Sequence, residues 1–128
     1  MHAESAAREQ SRSALAKMVT KAFENWHLSS VEQTAMLGLA PGNRAAIHRY
    51  RKGAPLAASR DMLERAGHIL AIHKSLRILF PHNRDLAYQW MRTRNRAFDN
   101  RTPAELIQQR GFEGLLMVRA YLDRARAH

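Results

Sequence analysis

Arg60–Phe80, RDMLERAGHILAIHKSLRILF, is the stretch on which the reading of this chain turns. Met62, Ala66, Ile69, His73, Leu76 and Phe80 recur three or four residues apart, and Leu63, Leu70 and Leu79 widen the stripe. A strand would alternate at every second residue, whereas this spacing gathers the apolar side chains on one broad helical face. Ser59 offers an N-cap, Asp61 and Glu64 complement the positive end of the helix dipole, and Pro81 forbids continuation past Phe80. At about 1.5 Å per residue the helix runs roughly 30 Å, the width of a small domain, so the other elements must pack along it.

On its N-terminal side, Leu15, Met18, Val19, Ala22, Phe23 and Trp26 keep helical spacing and define a helix from about residue 8 to His27. Residues 1 to about 9 are too small and polar to bury anything and read as a frayed arm. Ser29 and Ser30 cap a short helix, SVEQTAMLG, with Glu32 and Gln33 in its first turn, Gly38 as its stop, and Val31, Ala35 and Met36 inward. In LAPGNRAAIHRYRKG, Pro41 suits a first helical turn and Gly53 ends the helix, enclosing Asn43 to Lys52. Ile47 and Tyr50 face inward, which leaves Asn43, Arg44, His48, Arg49, Arg51 and Lys52 outward. Two short helices joined by a glycine-containing turn, the second rich in Arg, follow the plan of a helix-turn-helix whose second helix enters a DNA major groove. Arg forks match guanine O6 and N7, Asn matches adenine, and the other cations neutralise phosphates. Gly38 stands nine residues before Ile47, farther than in the usual motif, so the turn is longer or Gly42 takes part in it.

Toward the C-terminus, Gly53 and Pro55 make GAPLAASR a linker into the central helix. After Pro81, HNRDLAYQWMRTR reads as a helix capped by Asn83 with Leu86, Ala87, Trp90 and Met91 inward, followed by the loop NRAFDNR anchored by Phe98. Thr102 and Pro103 start TPAELIQQRG, which Gly111 ends. The last helix, FEGLLMVRAYLDRARAH, carries Phe112, Leu115, Leu116, Val118 or Met117, Tyr121 and Leu122 inward and leaves a basic tail, RARAH. No Val/Ile/Thr-rich alternating run occurs, so the expected fold is all-α with about seven helices. The expected division is a helix-turn-helix domain over 1–56 and a second helical domain over 57–128.

Composition narrows the partners. Lys and Arg number 21 against 11 Asp and Glu, a formal net charge of +10, which suits a polyanion and nucleic acid before an anionic membrane. With no cysteine, disulfides, thiolate zinc sites and cysteine nucleophiles are excluded. MHAESAAREQ has no apolar run of signal-peptide length and no window reaches the ~20 apolar residues of a membrane span, so a cytoplasmic protein is expected. His68 and His73 lie five apart, off the i, i+4 spacing of a metal pair, and Ser59 and Ser75 have no adjacent base. Neither an enzyme nor a metal or cofactor site is expected.

From Ile69 onward the residues resemble a family. A helix ends in Leu79, Phe80, Pro81; then come Trp90, Met91, Arg92, Thr93, Arg94, Asn95, Arg96, Ala97, Phe98, Asp99, Asn100, Arg101, Thr102 and Pro103. The common wording W-L-R-T-P-N-P-A-F-G-G-R-S-P of the Xre/MbcA/ParS antitoxins is similar, as are the Gly111–Gly114 segment and a closing helix with Val118, Arg119, Tyr121 and Leu122. The resemblance covers roughly Met62 to Leu122, and the family carries a helix-turn-helix upstream. Arg94, Arg96, Asp99 and Asn100 replace two prolines and two glycines of the family loop, making it more charged.

The resemblance implies a type II antitoxin, not itself catalytic. It implies an autorepressor that binds double-stranded operator DNA and neutralises a cognate RES-domain, NAD-consuming toxin, as a homodimer away from membranes. The toxin-facing surface would then lie around Arg94–Arg101 and Glu113–His128, with Arg94, Arg96, Asp99, Arg101, Glu113, Arg119, Arg124 and Arg126 as contacts. The alternatives are a helix-turn-helix repressor without a toxin partner, and a basic adaptor that never touches DNA.

Overall fold

The computed structural model describes residues 2–127, with side chains from residue 3 onward. Seven α-helices follow in order: α1 (His2–Asn25), α2 (Ser30–Met36), α3 (Arg44–Arg51), α4 (Arg60–Leu79), α5 (Arg84–Gln89), α6 (Pro103–Arg110) and α7 (Phe112–Arg126). Short 3-10 turns occupy Trp90–Arg92 and Arg96–Phe98. Among the described residues no strand forms; one isolated antiparallel bridge joins Asn95 and Arg101.

The helices begin where side chains can satisfy their orphan N–H groups. Ser29, Ser59, Asn83 and Thr102 each accept from the N–H three residues on, and Ser29 with Glu32 forms a reciprocal capping box. The spine is α4, which buries Met62, Ala66, Ile69, Ile72, Ser75 and Leu76. Its partners are α7 along one side and α1 along the other; α1 also packs on α3, and α2 lies between α3 and α6. One core results, in which Phe23, Trp26, Met36, Leu56, Ile69, Met91, Leu106 and Leu115 are fully buried. Apolar burial of this kind is the main stabilising term.

Several expectations are corrected. Residues 3–9, expected as a frayed arm, are helical, since nothing in α1 breaks the helix and Glu4 pairs with Arg8 at 2.6 Å one turn on; Met1 lies outside the described residues. The first helix ends at Asn25, not at His27, which takes a left-handed φ of 54°. Pro41 belongs to the turn before α3, not to its first helical turn. Val31 faces solvent, because α2 is squeezed between α3 and α6 and buries Gln33, Thr34 and Met36 instead. Leu86 is exposed while Ala87 and Met91 go inward. On α7 the buried register is Leu115, Val118 and Leu122, which turns Leu116 outward, 42% exposed. Leu63 is also partly exposed, and Ile72 takes an inward place that its neighbour His73 only shares. The tail is not loose: α7 continues through Arg126, with His128 outside the described residues.

Candidate functional site

The residues between α2 and α3, 37–43, make two turns. Gly38 closes α2 with a φ of 68°, and Asn43 N–H then donates to Ala40 O at 2.9 Å, so the extra length is a second turn that includes Gly42. Asn43 is the N-cap of α3: its Oδ1 accepts from Ala46 N–H at 3.2 Å, which occupies one acceptor site and keeps the amide NH2 as a donor for other partners. Ala46, Ile47 and Tyr50 are buried, and Arg44, His48, Arg49 and Lys52 are exposed. No Asp or Glu interrupts α3. The outcome is a basic, outward helix face of the kind that reads a major groove and clamps phosphates.

Arg51 differs from its neighbours. Its Nε lies 3.2 Å from Glu24 Oε1 and its Nη2 is 3.4 Å from Gln33 Oε1, while the buried Gln33 donates through Nε2 to Leu28 O at 2.9 Å. It ties α3 to both α1 and α2. Its guanidinium stays partly exposed but is held against α1 and α2, contacts that Arg44 and Arg49 lack among the described residues.

The C-terminal lobe carries the second expected surface. Asn95 and Arg101 close its loop, with Asn95 N–H donating to Arg101 O at 3.1 Å and Asn100 N–H to Asn95 O at 3.0 Å. Arg94 donates to Asn100 O at 2.9 Å, and Arg101 donates to Phe98 O at 3.0 Å and to Gln109 at 2.8 Å, with Asp99 3.7 Å away. Phe98 anchors the loop as expected, packed edge-on against Trp90 and Tyr121 with centroids 6.5 and 5.3 Å away. Glu113 pairs with Arg110, Arg119 reaches His68 Nδ1 at 2.9 Å, and Arg126 reaches Ser75 Oγ at 3.3 Å. Only Arg96 and Arg124, of the eight residues expected to meet a toxin, make no side-chain hydrogen bond or ion pair among the described residues.

Two arginines that the sequence did not single out hold the lobes together through α2. Arg92 donates to His27 O at 2.9 Å and to Glu32 Oε1 at 3.2 Å, the oxygen that also accepts Ser29 N–H in the capping box at 2.8 Å. At the other end, Arg65 Nη1 lies 3.5 Å from the carbonyls of Ala35 and Met36, its Nε 3.0 Å from Asp61, and its guanidinium 5.5 Å from the Phe112 ring centre. An arginine at the negative end of a helix complements its dipole, so the first helix of the pair is gripped at both ends. The S-x-x-E capping box at Ser29 was legible; the residue arriving from sixty positions downstream was not.

A family profile described as the antitoxin Xre-like helix-turn-helix domain matches residues 5–71, and one described as the antitoxin Xre/MbcA/ParS C-terminal toxin-binding domain matches residues 75–127. The chain belongs to the Xre/MbcA/ParS antitoxin family. An uncharacterized protein of Sinorhizobium fredii, y4oB, is 38% identical over 104 residues, 80% of this chain and 77% of that protein. Neither matched description is that of an enzyme, and no helix among the described residues is long and apolar enough to cross a membrane.

Two features of the antitoxin follow from this assignment. Where the common family wording has two glycines, Asp99 and Asn100 adopt left-handed φ values of 57° and 62°. Asp and Asn are the non-glycine residues that tolerate this region best, so the loop keeps a conformation that glycine would adopt without strain. The histidines are the second feature. Burial, reinforced by the Arg119 charge and opposed by Glu64, lowers the pKa of His68; burial and then Arg77 lower that of His73, which lies between the rings of Trp26 and Tyr88. Unfolded imidazoles titrate near 6.5, and below that value the unfolded chain binds more protons than the native one. Stability from these groups is therefore complete above 6.5 and is lost as pH falls through it toward the folded values. Thermal melts between pH 7.5 and about 5.5 should show Tm dropping by on the order of a few °C, and the His68→Gln, His73→Gln double variant should show a flatter profile. An equal slope in both proteins would disprove the assignment.

Proposed function

We propose that this antitoxin is the neutralising and autoregulatory partner of a RES-domain, NAD-consuming toxin, acting as a dimer in the cytoplasm. Residues 1–56 supply the operator-binding half, through Arg44, His48, Arg49, Lys52 and the Asn43 amide, with Arg51 bracing that helix. Residues 57–128 supply the toxin-binding half. The observation that carries the reading is the pairing on one chain of an acid-free, outward α3 with a lobe matching a toxin-binding domain.

The test is expression of the adjacent reading frame alone and together with this chain, with cellular NAD and growth as readouts. The expected result is loss of NAD and growth arrest with the neighbour alone, rescue by the antitoxin, and co-purification of the pair. A neighbour whose product leaves NAD untouched would overturn the toxin assignment. For the DNA half, the antitoxin should retard its own promoter fragment and lose affinity steeply with added salt, because each neutralised phosphate releases counterions; a flat salt response would remove the operator from the proposal.

A further inference from the structure

The first turns of α1 stand clear of the body. Residues 3–11 are helical and all exposed, and the first inward tie is Arg12, whose Nε donates to Leu56 O at 2.9 Å. A polar helix end without tertiary packing is marginal by itself, so this arm, about 14 Å long, is the part of the fold with most to gain from a neighbour. At its root an open groove of about 420 Å³ separates α1 from the start of α4, walled by Arg8, Ser11, Arg12, Leu15, Ala58 and Leu63, the last 37% exposed. Charge sets this end of the molecule apart. Residues 3–15 carry Glu4, Glu9, Arg8 and Arg12, and the first turns of α4 carry Asp61, Glu64, Arg60 and Arg65, so both segments are neutral and the whole net charge of +10 lies elsewhere. Asp61 and Arg65 pair at 3.0 Å on the side toward α2, and Lys17, the next cation of α1, lies across Gly53 at the end of α3.

We infer that the α1 arm and the groove at its root form the surface on which two copies of this chain meet, the arm of each lying antiparallel against the arm and groove of the other. The inference rests on the reading of the antitoxin as a dimer and supplies the surface and the pairing for it. Charge complementarity selects the occupant. In a two-fold interface a surface meets itself, and a net positive surface meeting itself is repelled, so a chain of this charge pairs with its own kind most favourably through a neutral face. The signs along the arm are self-complementary: set antiparallel, Glu4 and Glu9 of one copy face Arg12 and Arg8 of the other. Glu9 has no partner of its own among the described residues, and Arg12 spends only Nε on Leu56 O, which leaves its Nη groups to donate. Ala3 and Ala7 share a side of the arm, and their small side chains let it approach Leu15 and Leu63 of the other copy closely.

The experiment is sedimentation velocity of the full chain, without toxin or DNA, across a concentration series. Leu63→Glu, which puts a charge in the groove, and Glu9→Arg, which makes the arm cationic, should each raise the dimer dissociation constant by about tenfold or more. Glu9 is fully on the surface, so Glu9→Arg should keep the melting temperature of the unaltered chain even if Leu63→Glu does not. Adding Arg8→Glu to Glu9→Arg restores opposite signs across the two-fold and should recover most of the lost affinity. Leu116→Glu makes the same apolar-to-acidic change on α7 and should leave the dimer intact. A dimer that Leu63→Glu and Glu9→Arg leave unchanged would overturn this surface while the dimer itself stands. Equal dissociation by Leu116→Glu would also overturn the surface, and a chain that stays monomeric throughout the series would overturn the dimer reading and this inference with it.

Discussion

Changing Arg44 and Arg49 together to Ala should lower affinity for the promoter fragment about a hundredfold, since a good guanidinium contact to a base edge contributes roughly 1–3 kcal/mol. Neither side chain has an intramolecular partner among the described residues, so the loss should come without a change in melting temperature. If either group contacts phosphate instead, the slope of log affinity against log salt should become shallower by about one unit for each contact removed. Fluorescence anisotropy across a salt series measures both quantities, and unchanged affinity would exclude a groove-reading α3. Arg51→Ala is the contrasting variant. It removes the Glu24 and Gln33 contacts that join three helices, so it should lower stability as well as DNA affinity.

The second large effect concerns two helical glycines with opposite surroundings. A Cβ on Gly114 would come within 2.8 Å of Ile107 Cα and Leu106 O, both backbone atoms that cannot step aside, whereas one on Gly67 would meet nothing within 4 Å. Helix propensity favours Ala over Gly by about 1 kcal/mol at either site. At Gly67 that gain stands alone, and Gly67→Ala should stabilise the protein by about that amount. At Gly114 it is outweighed by overpacking, which costs about 1–3 kcal/mol or more when the neighbours are rigid, so Gly114→Ala should destabilise by about 2 kcal/mol. Urea unfolding of the two variants decides the matter; the same sign for both would mean that α6 and α7 are not in close contact.

Much of this was legible in the chain itself. The capping residues Ser29, Ser59, Asn83 and Thr102, with Pro103 and Gly111, fixed five helix boundaries because capping is local chemistry, written within three or four residues. The outward face of α3 was legible for the same reason, since Ile47 and Tyr50 set its register. Most of what failed depends on a distant neighbour. Val31, Leu86 and Leu116 are apolar residues in short or closely flanked helices, and which face turns inward was decided by the elements on either side. Arg51 and Arg92 look like ordinary surface cations in sequence, and their acceptors, Glu24, His27 and Glu32, lie on other helices or turns. The polar start of α1 was misread because a lack of apolar residues bears on burial, not on whether an established helix continues.

The two family matches end and resume at residues 71 and 75, both within α4, which runs unbroken from Arg60 to Leu79. Evolutionary modules are commonly joined by a pliable tether, and here the join is a rod roughly 30 Å long. The outward face of α3 and the outer side of α7 consequently keep a constant bearing to one another. A protein cargo mounted on this antitoxin would be carried at a set distance and rotation from the duplex, and two copies on adjacent half-sites would aim their cargoes in directions dictated by the pitch of the DNA.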